Sequence, residues 1–178
     1  MAEQSYEIKK IKIIESLHKI KIDCTNTKAT GEDDLQGTFS EEAAPEFYEA
    51  MKALTESAAN ILEAPELATR LVPFAVTYHY SKDGTMGAII SSRLLLPGSK
   101  GETVVNTPMR KCRMDETAPG AFLTPTTAKR LWTLELEARK YLHGKRAQTN
   151  LFGGEEENVT QQEQARVIPF NGEAAQGA

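Results

Sequence analysis

Apolar and polar residues alternate along the first part of the chain, between Tyr6 and Cys24. The apolar positions of this pattern are Ile11, Ile13, Ile20, Ile22 and Cys24. A period of two with many β-branched residues is typical of strands that bury one face. We therefore expect two strands here, joined by a hairpin whose tip lies at Glu15 and Ser16.

A helical pattern follows a polar stretch, residues 25–37, which we expect to be a loop. Ser40 and Pro45 are typical of the start of a helix. Apolar residues then recur on one helical stripe, which contains Phe47, Met51, Leu54, Ala58 and Ile61. A short second helical turn is predicted to begin at Pro65 and to end before Pro73.

Strand patterns return in the second half of the chain. Residues 74–80 and 86–96 are rich in residue types that favour strands, and Asp83-Gly84 lies between them. An Asp-Gly pair between two such runs is a strong hairpin signal. After a second turn over residues 97–101, a shorter strand is predicted around residues 103–106.

The last helix is predicted to begin at Thr124, because a capping hydroxyl there precedes a proline at the first helical position, Pro125. It is predicted to end at Gly144, since glycine commonly follows the last turn of a helix. Beyond Gly153 the chain is rich in glycine, glutamate, glutamine and alanine, with little to bury. We expect this segment to be disordered.

The predicted order of elements is β-β-α-α-β-β-β-α. Short connections favour antiparallel pairing, so we expect an α+β domain with an antiparallel sheet of about five strands and helices on one face. Residues 1–145 are assigned to this single domain, and residues 146–178 are assigned to a flexible tail.

The length and composition are those of an ordinary globular protein. The chain has 178 residues, 40% of them hydrophobic and 26% charged, which suffices for one domain with a core. No window is apolar enough for a membrane span and no signal-peptide pattern is present, so we expect a cytoplasmic protein without membrane contact. Cys24 and Cys112 lie far apart without metal-ligand spacing, which favours two buried free thiols over a disulfide.

Residues that would carry catalysis or bind a metal ion are scattered. His18, His79 and His143 fall in different predicted elements, and none has a second ligand at metal spacing. The acidic run Glu32-Asp33-Asp34 lacks the ligand spacing of a calcium loop. Nucleophile-elbow, phosphate-loop and dinucleotide-binding glycine patterns do not occur in the sequence. We therefore expect a non-enzymatic protein with no metal ion and no cofactor.

Basic residues indicate one candidate binding function. A basic strand face is predicted from Lys9, Lys10, Lys12, Lys19 and Lys21. Tyr78 and Tyr80 would offer stacking platforms for the bases of single-stranded DNA. A second basic group, in a predicted loop, contains Arg110, Lys111 and Arg113. The alternatives are lysines that block aggregation at a sheet edge and a loop that is basic only for solubility.

A peptide beyond the last helix indicates a second candidate function. Gln148-Thr149-Asn150-Leu151-Phe152 resembles the peptide, usually written Q-L-[SD]-L-F, by which bacterial polymerases and repair proteins bind the sliding clamp. The resemblance implies that Gln148 enters a polar subsite and that Leu151 and Phe152 fill an apolar pocket of the host clamp. Thr149 and Asn150 depart from the family pattern. The alternative is that Leu151 and Phe152 cover the core of the domain itself.

A wider resemblance extends over residues 6–152. Besides the lysine-rich start, its pieces are PEFYEAMKAL at 45–54, MGA at 86–88, VNTP at 105–108 and YLHGKRAQ at 141–148. In these pieces the chain is similar to small, largely uncharacterised phage and prophage proteins that are often encoded among replication and recombination genes. The resemblance implies an accessory role in DNA replication or recombination in a bacterial host cell, and it brings no established activity or catalytic residue.

A third candidate function is counter-defence, in which the protein would bind a nucleotide signal or a host effector. A concave pocket lined by Arg93, Arg110 or His79 would favour this function. An exposed apolar helix stripe would also allow a homo-oligomer, and the sequence does not decide the oligomeric state.

Overall fold

The structure of the protein, a computed structural model, describes residues 5–28, 31–98, 101–112 and 122–146. Within these ranges the strands are β1 (Ser5–Ile14), β2 (Lys19–Lys28), β3 (Gly31–Phe39), β4 (Leu71–Tyr80), β5 (Met86–Leu95), β6 (Glu102–Asn106), β7 (Arg110–Cys112) and β8 (Phe122–Leu123). The helices are α1 (Pro45–Lys52), α2 (Leu54–Ile61) and α3 (Pro125–Leu142). All of these elements belong to one compact unit, Met1–Gln148.

One sheet contains all eight strands of the described ranges, in the order β3-β2-β1-β4-β5-β7-β8, with β6 paired beside β5. Neighbouring strands are antiparallel except β7 and β8, which run parallel. The predicted α+β class with a mostly antiparallel sheet is therefore confirmed. The smaller number of strands that we predicted is wrong, because β3, β7 and β8 occupy segments that we expected to be loops.

The missed strands lack the alternation that identifies a half-buried strand. β3 pairs with β2 along its whole length, yet most of its side chains are exposed. It is an edge strand that carries Glu32, Asp33 and Asp34, and charged side chains at an edge discourage pairing with another chain. β7 and β8 have three and two residues, which is too short for any period to be visible.

The helices agree closely with the predicted stripes. The first stripe is divided between α1 and α2 at Ala53, whose backbone remains helical with φ −60° and ψ −17°. A 3-10 turn, Pro65–Thr69, follows as predicted. The start of α3 is confirmed, since the Thr124 hydroxyl accepts a hydrogen bond from the backbone N–H of Thr127 at 3.2 Å. After α3 the chain turns at Gly144, where φ is +98°, a conformation that glycine adopts without strain.

The three helices pack on one face of the sheet and form the core with it. The most deeply buried core side chains include Ile11, Ile22, Val76, Ile90, Phe47, Leu54, Leu131 and Leu134. Each such side chain contributes about 1.5–3 kcal/mol when it is removed from water. Alternate residues of the same strands point away from the helices, and we call the surface that they form the outer face.

Two β-bulges modify which residues reach the outer face. β1 is irregular between Ile8 and Lys10, and β4 is irregular between Pro73 and Ala75. A bulge inserts one extra residue into a strand and changes the phase of its alternation. Ile8 and Ile11 are therefore both fully buried although they are three positions apart. The inserted residues are Lys9 and Phe74.

Candidate nucleic-acid interface

The outer face carries four of the lysines that the sequence pattern assigned to one basic surface. Lys10 and Lys12 lie on β1, and Lys19 and Lys21 lie on β2, at positions that alternate with buried isoleucines. All four side chains are partly exposed. The fold therefore brings these lysines together, and we call the surface formed by the four residues the lysine face.

The arrangement of the lysine face concentrates positive charge. Lys12 lies directly opposite Lys21 in the antiparallel register, and like charges at directly opposite positions destabilise a sheet. The Lys21 ammonium lies 3.7 Å from an Asp23 carboxylate oxygen, which offsets part of this repulsion. Lys10 lies opposite Asp23 in the same register, although the Asp23 carboxylate forms its ion pair with Lys21. An anion held above Lys12 and Lys21 would reduce their repulsion.

Lys9 is also on the outer face, but an acidic partner already engages it. Its ammonium lies 2.7 Å from an Asp34 carboxylate oxygen, which accepts a second hydrogen bond from the Thr25 hydroxyl at 2.8 Å. The hydrogen bond from Lys9, followed by that from Thr25, lowers the pKa of Asp34. The same hydrogen bond raises the pKa of Lys9. Lys9 therefore holds β1 to β3 and does not join the lysine face.

Phe74 is an aromatic side chain beside the lysine face that the sequence pattern did not identify. It is the residue inserted at the bulge in β4, it is partly exposed, and its ring centroid lies 5.9 Å from the Lys12 ammonium. A cation at this distance interacts favourably with a ring face. Pro73 was the available signal, because a proline inside a strand marks an edge or a bulge.

Tyr78 is wrong as a stacking platform, and neither Tyr78 nor Tyr80 lies beside the lysine face, because both belong to the face that the helices cover. Tyr78 is only 2% exposed, and its hydroxyl donates a hydrogen bond to the Leu131 carbonyl at 2.9 Å. Burial raises the pKa of Tyr78 well above its usual range. Burial, with the nearby Glu135 carboxylate, likewise raises the pKa of Tyr80. Neither ring is open to a base on the outer face.

A groove of about 440 Å³ adjoins the lysine face at Lys10. It runs over β1 to β4, and its polar lining includes Glu7, Asp23, Gln36 and the exposed His79. Carboxylates and cations are mixed there, so the groove is less suited to a polyanion than the lysine face is. His79 therefore lies on a concave surface that charged side chains also line.

The second predicted basic group does not form one cluster in the described residues. Arg110 and Lys111 are successive residues of β7, so their side chains point to opposite faces of the sheet. Lys111 pairs with Gly87 on β5, and both β4 and β5 separate it from the lysines of β1. The prediction that Arg110 and Lys111 lie in a loop is wrong. Arg113 lies outside the described residues.

The concave pocket that would favour counter-defence is not assembled from its three candidate residues. His79 lines the groove, whereas Arg93 forms ion pairs with Glu15 and Glu102. The hydrogen bond to Glu15 raises the pKa of Arg93. Arg110 lies on a strand that is not adjacent to the groove. One of the three candidate residues, His79, therefore lines a concave surface, and the three do not share one pocket.

The three anchor residues of the candidate clamp peptide, Gln148, Leu151 and Phe152, lie outside the described residues. The last described residue, Arg146, is firmly held. Its guanidinium donates to a Glu41 carboxylate oxygen at 2.5 Å and to the Tyr141 carbonyl. The guanidinium carbon also lies 3.8 Å from the centroid of the Tyr141 ring. The position at which the chain leaves the described domain is thus defined by several contacts.

Further chemistry in the described ranges is limited. Cys24 and Cys112 are free thiols, the first buried and the second half-buried. No group of three or more histidine, cysteine, aspartate or glutamate side chains in these ranges is placed to hold a metal ion. Within the same ranges no helix has both the length and the apolar character needed to cross a bilayer.

The chain matches no protein-family model, no curated protein and no solved structure.

Proposed function

We propose that the protein is a non-enzymatic accessory factor of DNA replication or recombination, of the phage or prophage type, that binds single-stranded DNA on its lysine face. It would act in the cytoplasm of the bacterial host. The observation that carries this proposal is the direct opposition of Lys12 and Lys21 on a partly exposed sheet surface, with Lys10 and Lys19 beside them.

Phosphates explain this arrangement better than an aggregation block does. Lysines that only prevent edge pairing belong on an edge strand, but β1 and β2 are internal strands of the sheet. Opposed lysines weaken the pairing of two internal strands, and a bound phosphate turns that repulsion into attraction. Phe74 supports the same function, because a base can stack on its ring while the adjacent phosphate lies near Lys12.

Salt dependence tests the lysine face directly. For single strands each phosphate contact contributes a slope of about −0.7 to the logarithm of affinity against the logarithm of salt concentration. Contacts from four lysines therefore predict a slope of about −3 for a fluorescent oligonucleotide measured by anisotropy. We expect the double variant Lys12→Ala/Lys21→Ala to roughly halve this slope, because two of the four contacts are lost.

A matched control removes the same charge from another surface. Lys52 and Lys129 are exposed lysines of α1 and α3, so Lys52→Ala/Lys129→Ala changes the net charge equally and leaves the lysine face intact. The control should keep the slope of the unmodified protein. Equal losses in the two double variants, or binding that does not weaken as salt rises, would refute the proposed site.

We further propose that residues 148–152 bind the host sliding clamp. The specific support is the resemblance of this peptide to the clamp-binding family, together with the anchoring of Arg146 two residues before it. Burial of Leu151 and Phe152 would contribute about 1.5–3 kcal/mol each, from which the cost of ordering the peptide is subtracted. The two side chains would thus give about 3–6 kcal/mol before that cost, so a micromolar Kd, or about −8 kcal/mol, also needs contacts from Gln148 and the peptide backbone.

Binding to purified clamp tests this second function. Surface plasmon resonance should give a Kd in the micromolar range for the full chain and no measurable binding for Leu151→Ala/Phe152→Ala. Gln148→Ala should bind the clamp more weakly than the unmodified protein, because no side chain then fills the polar subsite of the clamp. The matched control is Val167→Ala/Ile168→Ala, which removes two apolar side chains from the same part of the chain. Unchanged binding of the first double variant would rule out this docking mode.

A further inference from the structure

A cavity separate from the lysine face lies at the end of the sheet. It has a volume of about 840 Å³, is open to solvent on one side, and is lined by the β4–β5 turn, by β7 and β8, and by one face of the first two turns of α3. This size falls within the range of about 300–1,000 Å³ that is usual for small-ligand sites. None of the four lysines of the lysine face lines it.

The apolar part of the cavity combines aromatic rings with aliphatic side chains such as Leu123, Pro125 and Ala128. Tyr80, Phe122 and Trp132 line it, together with the thioether of Met86. Trp132 is 52% exposed, which is high for the largest apolar side chain in the chain. The exposed ring of Trp132 is suited to a planar ligand, because stacking covers apolar area on both partners.

Among the residues that the structure describes, the polar lining of the cavity includes the ammonium of Lys111 and the carboxylate of Asp83. Lys111 is exposed there, and the Asp83 carboxylate accepts a hydrogen bond from the backbone N–H of Thr85 at 3.0 Å. An exposed ammonium is suited to a phosphate, and a fixed carboxylate is suited to the N–H donors on the edge of a base. A planar ring that carries N–H donors and is linked to a phosphate matches the aromatic rings, the Asp83 carboxylate and the Lys111 ammonium.

We propose that this cavity binds a nucleotide, with the base against Trp132, Phe122 and Tyr80 and the phosphate at Lys111. The ligand is either a free nucleotide or the terminal nucleotide of a DNA strand, since both present the same base and phosphate. The site goes beyond the lysine face, which would hold the backbone of a strand elsewhere on the molecule.

Trp132 is the only tryptophan of the chain, so its fluorescence reports directly on this cavity. We expect adenosine and guanosine 5′-monophosphates to quench its emission saturably, and inorganic phosphate at the same concentration to leave it unchanged. A 5′-phosphorylated linear oligonucleotide is tested in the same way. If it quenches the Trp132 emission and free nucleotides do not, the ligand is the terminal nucleotide of a strand. Absence of quenching by every nucleotide and oligonucleotide overturns the proposal, as does equal quenching by inorganic phosphate.

A second readout does not depend on the tryptophan. Cys112 lines the cavity and is half-buried, while Cys24 is buried, so alkylation of the full chain by iodoacetamide should occur first at Cys112. Bound nucleotide should slow the alkylation of Cys112. In Trp132→Ala this protection should require a nucleotide concentration about tenfold higher or more, because a stacking partner is lost. Leu136→Ala, one turn further along α3 and equally exposed, should keep normal protection.

Charge variants separate this site from the lysine face. Lys111→Ala should weaken nucleotide quenching about tenfold, whereas Lys82→Ala, an exposed lysine of the neighbouring turn that does not line the cavity, should not. Lys12→Ala/Lys21→Ala should leave nucleotide quenching unchanged even if it abolishes binding of a long strand. Loss of nucleotide quenching in that double variant, or equal effects of Lys111→Ala and Lys82→Ala, overturns the proposal.

Discussion

Among single residues, neighbours decide which lysines can bind an anion. Lys9 and Lys12 lie on the same strand and the same face, yet Lys9 forms a short ion pair with Asp34 while Lys12 faces Lys21 and the Phe74 ring. Asp34 and Lys9 are 25 positions apart in the chain. The pattern of lysines was visible in the sequence, but their partners come from other strands.

The ion pair of Lys9 makes the pKa of Asp34 a measurable test. A carboxyl group whose pKa is lower in the folded state than its unfolded value of about 3.9 stabilises the fold above that value, and this stabilisation is lost as the pH falls through the folded pKa. We expect Lys9→Ala to raise the pKa of Asp34 toward its usual value, because its main hydrogen-bond donor is removed. An acid titration of the carboxyl carbon chemical shift measures this change.

Lys19→Ala is the matched control for that titration. Lys19 lies on the same face of the sheet but does not contact Asp34, so its removal should leave the Asp34 titration where it is in the unmodified protein. An Asp34 pKa that does not move in Lys9→Ala would contradict the assigned cause of the shift.

Among the elements, those with local signals were predictable. The hairpin at Asp83-Gly84 and the start of α3 depend on residues within a few positions, so the sequence contains their determinants. β3, β7 and β8 form because β2, β5 and β7 respectively present unpaired backbone groups to them, and no local periodicity records this. The bulge in β1 is also set by pairing, whereas Pro73 marks the bulge in β4 in the sequence.

The cap of α3 gives a test at this scale. Thr124→Ala removes the side-chain acceptor of the Thr127 N–H, and we expect it to lower the free energy of unfolding by about 1 kcal/mol. Thr126→Ala in the first turn, where the exposed side chain does not cap the helix, should change stability much less. Urea denaturation followed by circular dichroism measures both variants. Equal midpoints for the two would show that the cap does not stabilise α3.

For the whole molecule, the buried core side chains among the described residues lie between Ile8 and Tyr141. We therefore expect a chain that ends at Gln148 to keep the urea midpoint of the full chain. A chain that ends at Leu142 also lacks Arg146, and its unfolding free energy should be lower by at least about 1 kcal/mol, because the hydrogen bonds to Glu41 and Tyr141 are lost.

The chain ending at Gln148 also separates the two interpretations of Leu151 and Phe152. If these residues bind a clamp, their removal should abolish clamp binding without changing stability. A midpoint clearly below that of the full chain would instead mean that they cover the core of their own domain.

The sequence by itself determined the α+β class, the helices, the hairpins and the set of exposed lysines, because each depends on spacing along the chain. Only the tertiary structure decided that Lys12 opposes Lys21 and that Lys9 forms an ion pair with Asp34. It also decided that Phe74 is on the outer face while Tyr78 is buried. It also assembled the aromatic cavity from β4, β8 and α3. The physical reason is that opposed lysines, ion pairs and cavities depend on distances between strands and helices that are far apart in sequence.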